Sequence, residues 1–148
     1  MYLKPDSTGV ERFEHEQKDC TVRALANVLG APYPLIHKVM KRAGRIDGRG
    51  VLMSQWHQVY TRLGLKLLGS YGTTKGARLA ALKYNAPVNP GITLGKILPQ
   101  LKQGRYVVKI DRHVLAVIDG KILDNGYNKA GSRVQSVYKL ESQAVIFN

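Results

Sequence analysis

Cysteine is nearly missing from this chain: one residue in 148, Cys20. A lone cysteine excludes an internal disulfide and suits a reducing, cytoplasmic setting. Acidic residues are also few, ten against 23 Lys and Arg, for a formal charge of +13. Proline is sparse at six, while hydrophobic residues reach 44%. That balance excludes a disordered chain and leaves enough apolar material for one core. No run comes near the ~18 apolar residues of a membrane span, and the start, Met1 to Asp6, lacks the apolar stretch of a signal peptide, so no membrane association is expected. A zinc site needs three or four ligands at set spacing. One cysteine and four scattered histidines, His15, His37, His57 and His113, do not supply it. No metal and no other cofactor is expected.

What the chain does have is positive charge. An excess of this size favours acidic partners: an acidic protein surface, nucleic acid or anionic lipid. The densest group is Lys38, Lys41, Arg42, Arg45 and Arg49. It reads either as a docking face, with Arg42, Arg45 and Arg49 at its centre, or as a solvated surface that aids solubility. Eight tyrosines could stack on bases, but they are not interleaved with Lys and Arg as in a nucleic-acid module. The glycine-rich stretch 44–51 lacks the GxxxxGK[ST] pattern of a phosphate cradle and follows no strand.

The first helical stripe is Val22, Leu25, Ala26 and Leu29, spaced i, i+3, i+4, i+7. It predicts a helix over about 20–29, stopped by Gly30 and capped at its start by Asp19. Leu35, Ile36, Val39, Met40 and Ala43 predict a second helix, with Pro34 in its first turn and its end at Gly44. Trp56, Val59, Tyr60 and Leu63 predict a third, capped by Ser54 and ended by Gly64. Leu65–Leu68 reads as a short strand. Thr74 and Thr93 are each placed to cap a further helix, the second distorted by Pro99. From Gly104 the period shortens. Residues 106–110, 113–118, 121–124, 134–138 and 144–147 are β-rich runs, with Asp119-Gly120 as a hairpin turn. The expected architecture is α+β: one domain, 1–148, with an N-terminal helical half packed on a C-terminal antiparallel sheet.

Cys20 then falls on the first residue of the first helix, where the positive end of the helix dipole favours a thiolate, the nucleophilic form. A cysteine nucleophile needs a base, and the base needs an acceptor to orient it. His37 and His57 sit on helical stripes and read as surface or core residues. His113 opens a strand. With Asp119-Gly120 as a two-residue turn, Ile118 pairs with Lys121, Val117 with Ile122, Ala116 with Leu123 and Leu115 with Asp124. His113 and Asp124 then share a face as diagonal neighbours. A turn one residue longer would put Asn125 in place of Asp124. By itself such a His–Asp pair is also an ordinary surface pair.

The stretch Asp19-Cys20-Thr21-Val22-Arg23-Ala24-Leu25-Ala26, with Arg112-His113-Val114-Leu115-Ala116-Val117 and Asp124, resembles the small papain-like proteins of bacteriophages and bacteria, related in pattern to bacteriocin-processing peptidases. The resemblance implies a papain-like fold and a cysteine hydrolase in the cytoplasm of a bacterium or infected host cell, acting on a protein or peptide. It implies Cys20 as nucleophile, His113 as base and Asp124 as the orienting group. Papain-like enzymes place an oxyanion-binding glutamine about six residues before the cysteine; here that position is Glu14, and Gln17 is the better candidate. Thr21 stands where these peptidases usually have glycine. The rival expectation is a catalytically inactive relative that docks a partner through its basic surface.

Overall fold

The computed structural model describes residues 2–3, 19–45, 53–123 and 130–141. Gln17, Asp124 and Asn125 lie outside them, as do Glu14, His15, Arg49 and the strand expected at 144–147.

The helices follow their stripes closely. α1 spans Cys20–Leu29 and stops at Gly30, whose φ of 65° is left-handed, a conformation glycine adopts without penalty. α2 spans Tyr33–Arg42, with Pro34 in its first turn. α3 spans Met53–Arg62, so Ser54 lies inside the helix rather than capping it. α4 spans Lys75–Lys83, and the Thr74 hydroxyl accepts from the Ala77 N–H at 3.1 Å, a true N-cap. α5, Leu94–Ile97, gives way at Pro99 to a 3-10 turn over Leu98–Leu101; the Thr93 side chain makes no capping bond.

The strands are β1 (Tyr2–Leu3), β2 (Leu65–Tyr71), β3 (Val88–Asn89), β4 (Arg105–Ile110), β5 (His113–Ile118), β6 (Lys121–Leu123) and β7 (Val134–Leu140). They form one sheet in the order β1-β6-β5-β4-β7-β2-β3. The class is α+β, as expected, but the sheet is mixed rather than antiparallel: β1 runs parallel to β6, and β2 parallel to β3. It is also not confined to the C-terminal part. β7 turns back to pair with β4 and with β2, which comes from the helical stretch. Only β4-β5-β6 is a meander. Its second turn is the expected one: Asp119 (φ 50°) and Gly120 (φ 78°) are both left-handed, the geometry of a two-residue hairpin. The register is likewise as derived, with Ile118 opposite Lys121, Val117 opposite Ile122 and Ala116 opposite Leu123.

Strand alternation divides the core in two. On one face Val107, Val114, Ala116, Leu123 and Tyr138 pack against α1, α2 and α3 through Leu25, Ile36, Trp56 and Tyr60. On the other, Val108, Ile110, Leu115, Val117 and Val137 pack against Leu94, Ile97 and Leu101 of α5 and the 3-10 turn. This division decides which residues can reach Cys20.

Candidate active site

One hydrogen-bonded contact and one longer-range electrostatic interaction place α1 on the sheet. Arg105, at the start of β4, donates from one guanidinium nitrogen to the carbonyls of Val28 (3.1 Å) and Asn27 (3.4 Å) in the last turn of α1. At the other end, Cys20 acts electrostatically on Lys109, near the end of β4. The helix therefore runs antiparallel to β4 and alongside β5. Its first residue lies at the end of the sheet where β5 begins with His113. Cys20 is half-buried there and packs against the α1-side core.

The residue before it is anchored firmly. Asp19 is buried, and its side chain does not cap the helix. Instead one carboxylate oxygen accepts from Tyr33 Oη at 2.7 Å and from Arg23 Nε at 2.8 Å. The Arg23 guanidinium also lies over the Tyr33 ring, 5.2 Å from its centre. Charge-assisted bonds of this kind are the stronger ones, and they tie the start of α1 to the start of α2. The expected cap is thus overridden because Tyr33 and Arg23 offer partners the backbone would otherwise compete for. Thr21, one residue on, is buried; its carbonyl accepts from Tyr60 Oη at 2.7 Å. Burial, with the nearby Cys20 and Tyr138, pushes the Tyr60 hydroxyl well above its usual range, so it stays a donor.

His113 is the first residue of β5, paired with Ile110. Paired residues share a face, and Ile110, Leu115 and Val117 all belong to the core on the α5 side. Alternation therefore puts His113 one position out of phase with Val114 and Ala116, the residues that face α1. The structure brings Cys20 and His113 to the same end of the β4–β5 hairpin but does not put them on one face. Two basic residues of β4 share the α1 face, Arg105 at the far end of α1 and, at the Cys20 end, Lys109, paired with Val114 and with Ser136. It is partly buried, and its ammonium donates to the Ile110 carbonyl. Burial pushes its pKa down, while Cys20 and then Asp111 pull it back up. Lys109 was missed from the sequence, although a signal was there: Arg105 and Lys109 share the period-two phase of Val107, the face opposite Tyr106, Val108 and Ile110.

The other two described histidines, His57 and His37, pack beside aromatic rings. His57, on α3, is stacked on Tyr84 with centres 3.9 Å apart and hydrogen-bonded through Nδ1 to the Tyr138 hydroxyl. Burial and then Lys83 push its pKa below the usual value, and burial followed by Tyr84 pushes that of Tyr138 far up. His37 is buried on α2 beside the Tyr33 ring.

Of the expected basic docking face, Arg49 lies outside the described residues. Lys38, Lys41 and Arg42 are exposed, but Arg45 is buried at 3% exposure and cannot form part of a surface. Among the described residues, no three His, Cys, Asp or Glu side chains converge to hold a metal ion, and no helix is long and apolar enough to cross a membrane. No family model, no curated protein and no solved structure matches the chain.

Proposed function

We propose that the protein is a papain-like cysteine hydrolase that cleaves a peptide or isopeptide bond. The observation that carries this reading is the position of Cys20: first residue of α1, half-buried, at the end of the sheet where β5 starts with His113. The first backbone N–H groups of a helix have no intrahelical partner, so the Cys20 N–H is available to an oxyanion. In the reaction, His113 takes the thiol proton as Cys20 Sγ attacks the carbonyl carbon. The tetrahedral intermediate expels the amine, which leaves with the proton from His113. Water, deprotonated by His113, then cleaves the thioester, releasing the acid and restoring the thiol. Asp124 orients His113, and Gln17 is the side-chain donor to the oxyanion. His113 is the terminal residue of its strand, beside the Asp111-Arg112 turn. The test is labelling of the single thiol with a peptide-based electrophile at neutral pH. Cys20→Ser abolishes it, and His113→Ala slows it by roughly 10²-fold with the fold retained. A labelling rate unchanged in folded His113→Ala overturns the dyad.

The strand phase of His113 favours a second reading: a non-catalytic protein on the same framework, which acts by binding. In that case Cys20→Ala leaves the biological activity intact.

A further inference from the structure

α4 is built the wrong way round for a surface helix. Its small residues Ala77, Ala80 and Ala81, with Tyr84, turn towards the protein, whereas Leu79 and Leu82 point outward at 54% and 80% exposure. Val88, on the neighbouring edge strand β3, is 47% exposed. These three are the large apolar side chains that stand exposed among the described residues. A single exposed leucine needs no explanation, and helix propensity alone tolerates one. Three on neighbouring elements at one edge of the sheet are more than scattered single residues.

The charge carried by α4 itself is of one sign. At 3.6 residues per turn, Lys75, Arg78 and Lys83 flank Leu79 and Leu82 on the same arc of α4, and all three are exposed. No Asp or Glu occurs anywhere from residue 48 to 110, a span with ten Lys and Arg. A second copy of this chain would meet like charge. β3 is only two residues long and lies between Pro87 and Pro90, so its edge is a poor template for a long added strand.

We infer that the outer face of α4, with Val88, is the docking surface for an acidic peptide segment of another protein that presents two or three apolar anchors. The leucines and Val88 take the anchors, and Lys75, Arg78 and Lys83 take the flanking carboxylates. The surface operates whether or not Cys20 is catalytic.

The test is selection from a displayed random peptide library on the wild-type protein. The result expected is enrichment of peptides in which Asp and Glu surround two or three apolar residues. A synthesised, labelled representative should then bind about tenfold or more weakly to Leu79→Ser/Leu82→Ser and to Lys75→Glu/Arg78→Glu, with both variants retaining the wild-type thermal midpoint. It should bind Cys20→Ala as it binds wild type. Any of the following overturns the proposal: no enrichment; enriched peptides that are neutral or basic; equal binding to the double-serine variant; or leucine-dependent binding of phosphatidylserine vesicles or a duplex DNA oligonucleotide in place of the peptide. Self-association that disappears in the double-serine variant would assign the patch to a second copy instead.

Discussion

Arg105 Nη1 lies 3.1 Å from the carbonyl oxygen of Val28, a hydrogen bond between the first residue of β4 and the last turn of α1. α1 has no basic residue of its own in that turn, so a strand 77 positions away supplies the positive charge that a helix C-terminus favours. The contact also sets the direction of α1 across the sheet, and hence which end of the hairpin Cys20 reaches. Arg105→Ala should lower stability by about 1.5–3 kcal/mol, the range for bonds to a charged donor. Arg105→Lys should recover part of the loss. Urea unfolding curves of the three proteins measure both.

Asp19 joins the starts of two helices through one oxygen. Asp19→Ala leaves the buried Tyr33 hydroxyl without this acceptor and should cost about 1–3 kcal/mol, read as a lower denaturation midpoint at unchanged slope. Asp19→Asn, which keeps an acceptor oxygen, should cost less. If alanine and asparagine were equally damaging, the charge rather than the bonds would be what matters.

Lys109 is the β4 cation at the Cys20 end of the face that α1 covers. Lys109→Met keeps most of the apolar stem and removes the charge. Alkylation of Cys20 by iodoacetamide should slow several-fold, because negative charge developing at sulfur loses a favourable Coulomb partner. Raising the salt concentration should slow the wild type towards the variant. An unchanged rate would show that the pair does not communicate.

His57 makes stability depend on pH. Its pKa is lowered in the fold, first by burial and then by Lys83, so the native state prefers the neutral ring. The unfolded chain binds more protons between the lowered value and the ordinary 6.5. Stability from this residue is therefore complete above about pH 6.5 and falls as pH drops through the folded value. The His57→Gln protein should show a flatter decline of thermal midpoint between pH 7 and the acid side, measured by circular dichroism. A steeper one would reverse the sign.

Much of the local structure was readable from residue spacing. The bounds of α1, the cap at Thr74, the break at Pro99 and the three-pair register of β5 on β6 all came out as derived. Each is decided within a few residues, by a stripe, a cap or a turn. The readings that failed concern neighbours far apart in the chain. β7 pairs with β4 and β2 instead of extending the meander, and Asp19 is taken by Tyr33 rather than by its own helix. α4 was legible as a helix but not in its orientation. Its alanines and leucines alternate through every turn, so periodicity offers two apolar faces and only packing against β2 and α3 selects one.

The candidate site divides along the same line. That Cys20 begins a helix, that His113 begins a strand and that this strand is hairpinned to the next follows from local chemistry: helical spacing, β-branched runs and an Asp-Gly turn. Which face of the sheet α1 covers does not. It depends on where Arg105 and Lys109 fall in the pleat relative to a helix some eighty residues earlier, and a shift of one position exchanges the faces. Tertiary packing put Lys109 on the sheet face that α1 covers, set His113 out of phase at the hairpin end, and buried Arg45 while turning Leu79 and Leu82 outward. Side-chain facing depends on which distant elements meet, and no local stretch of the chain encodes that.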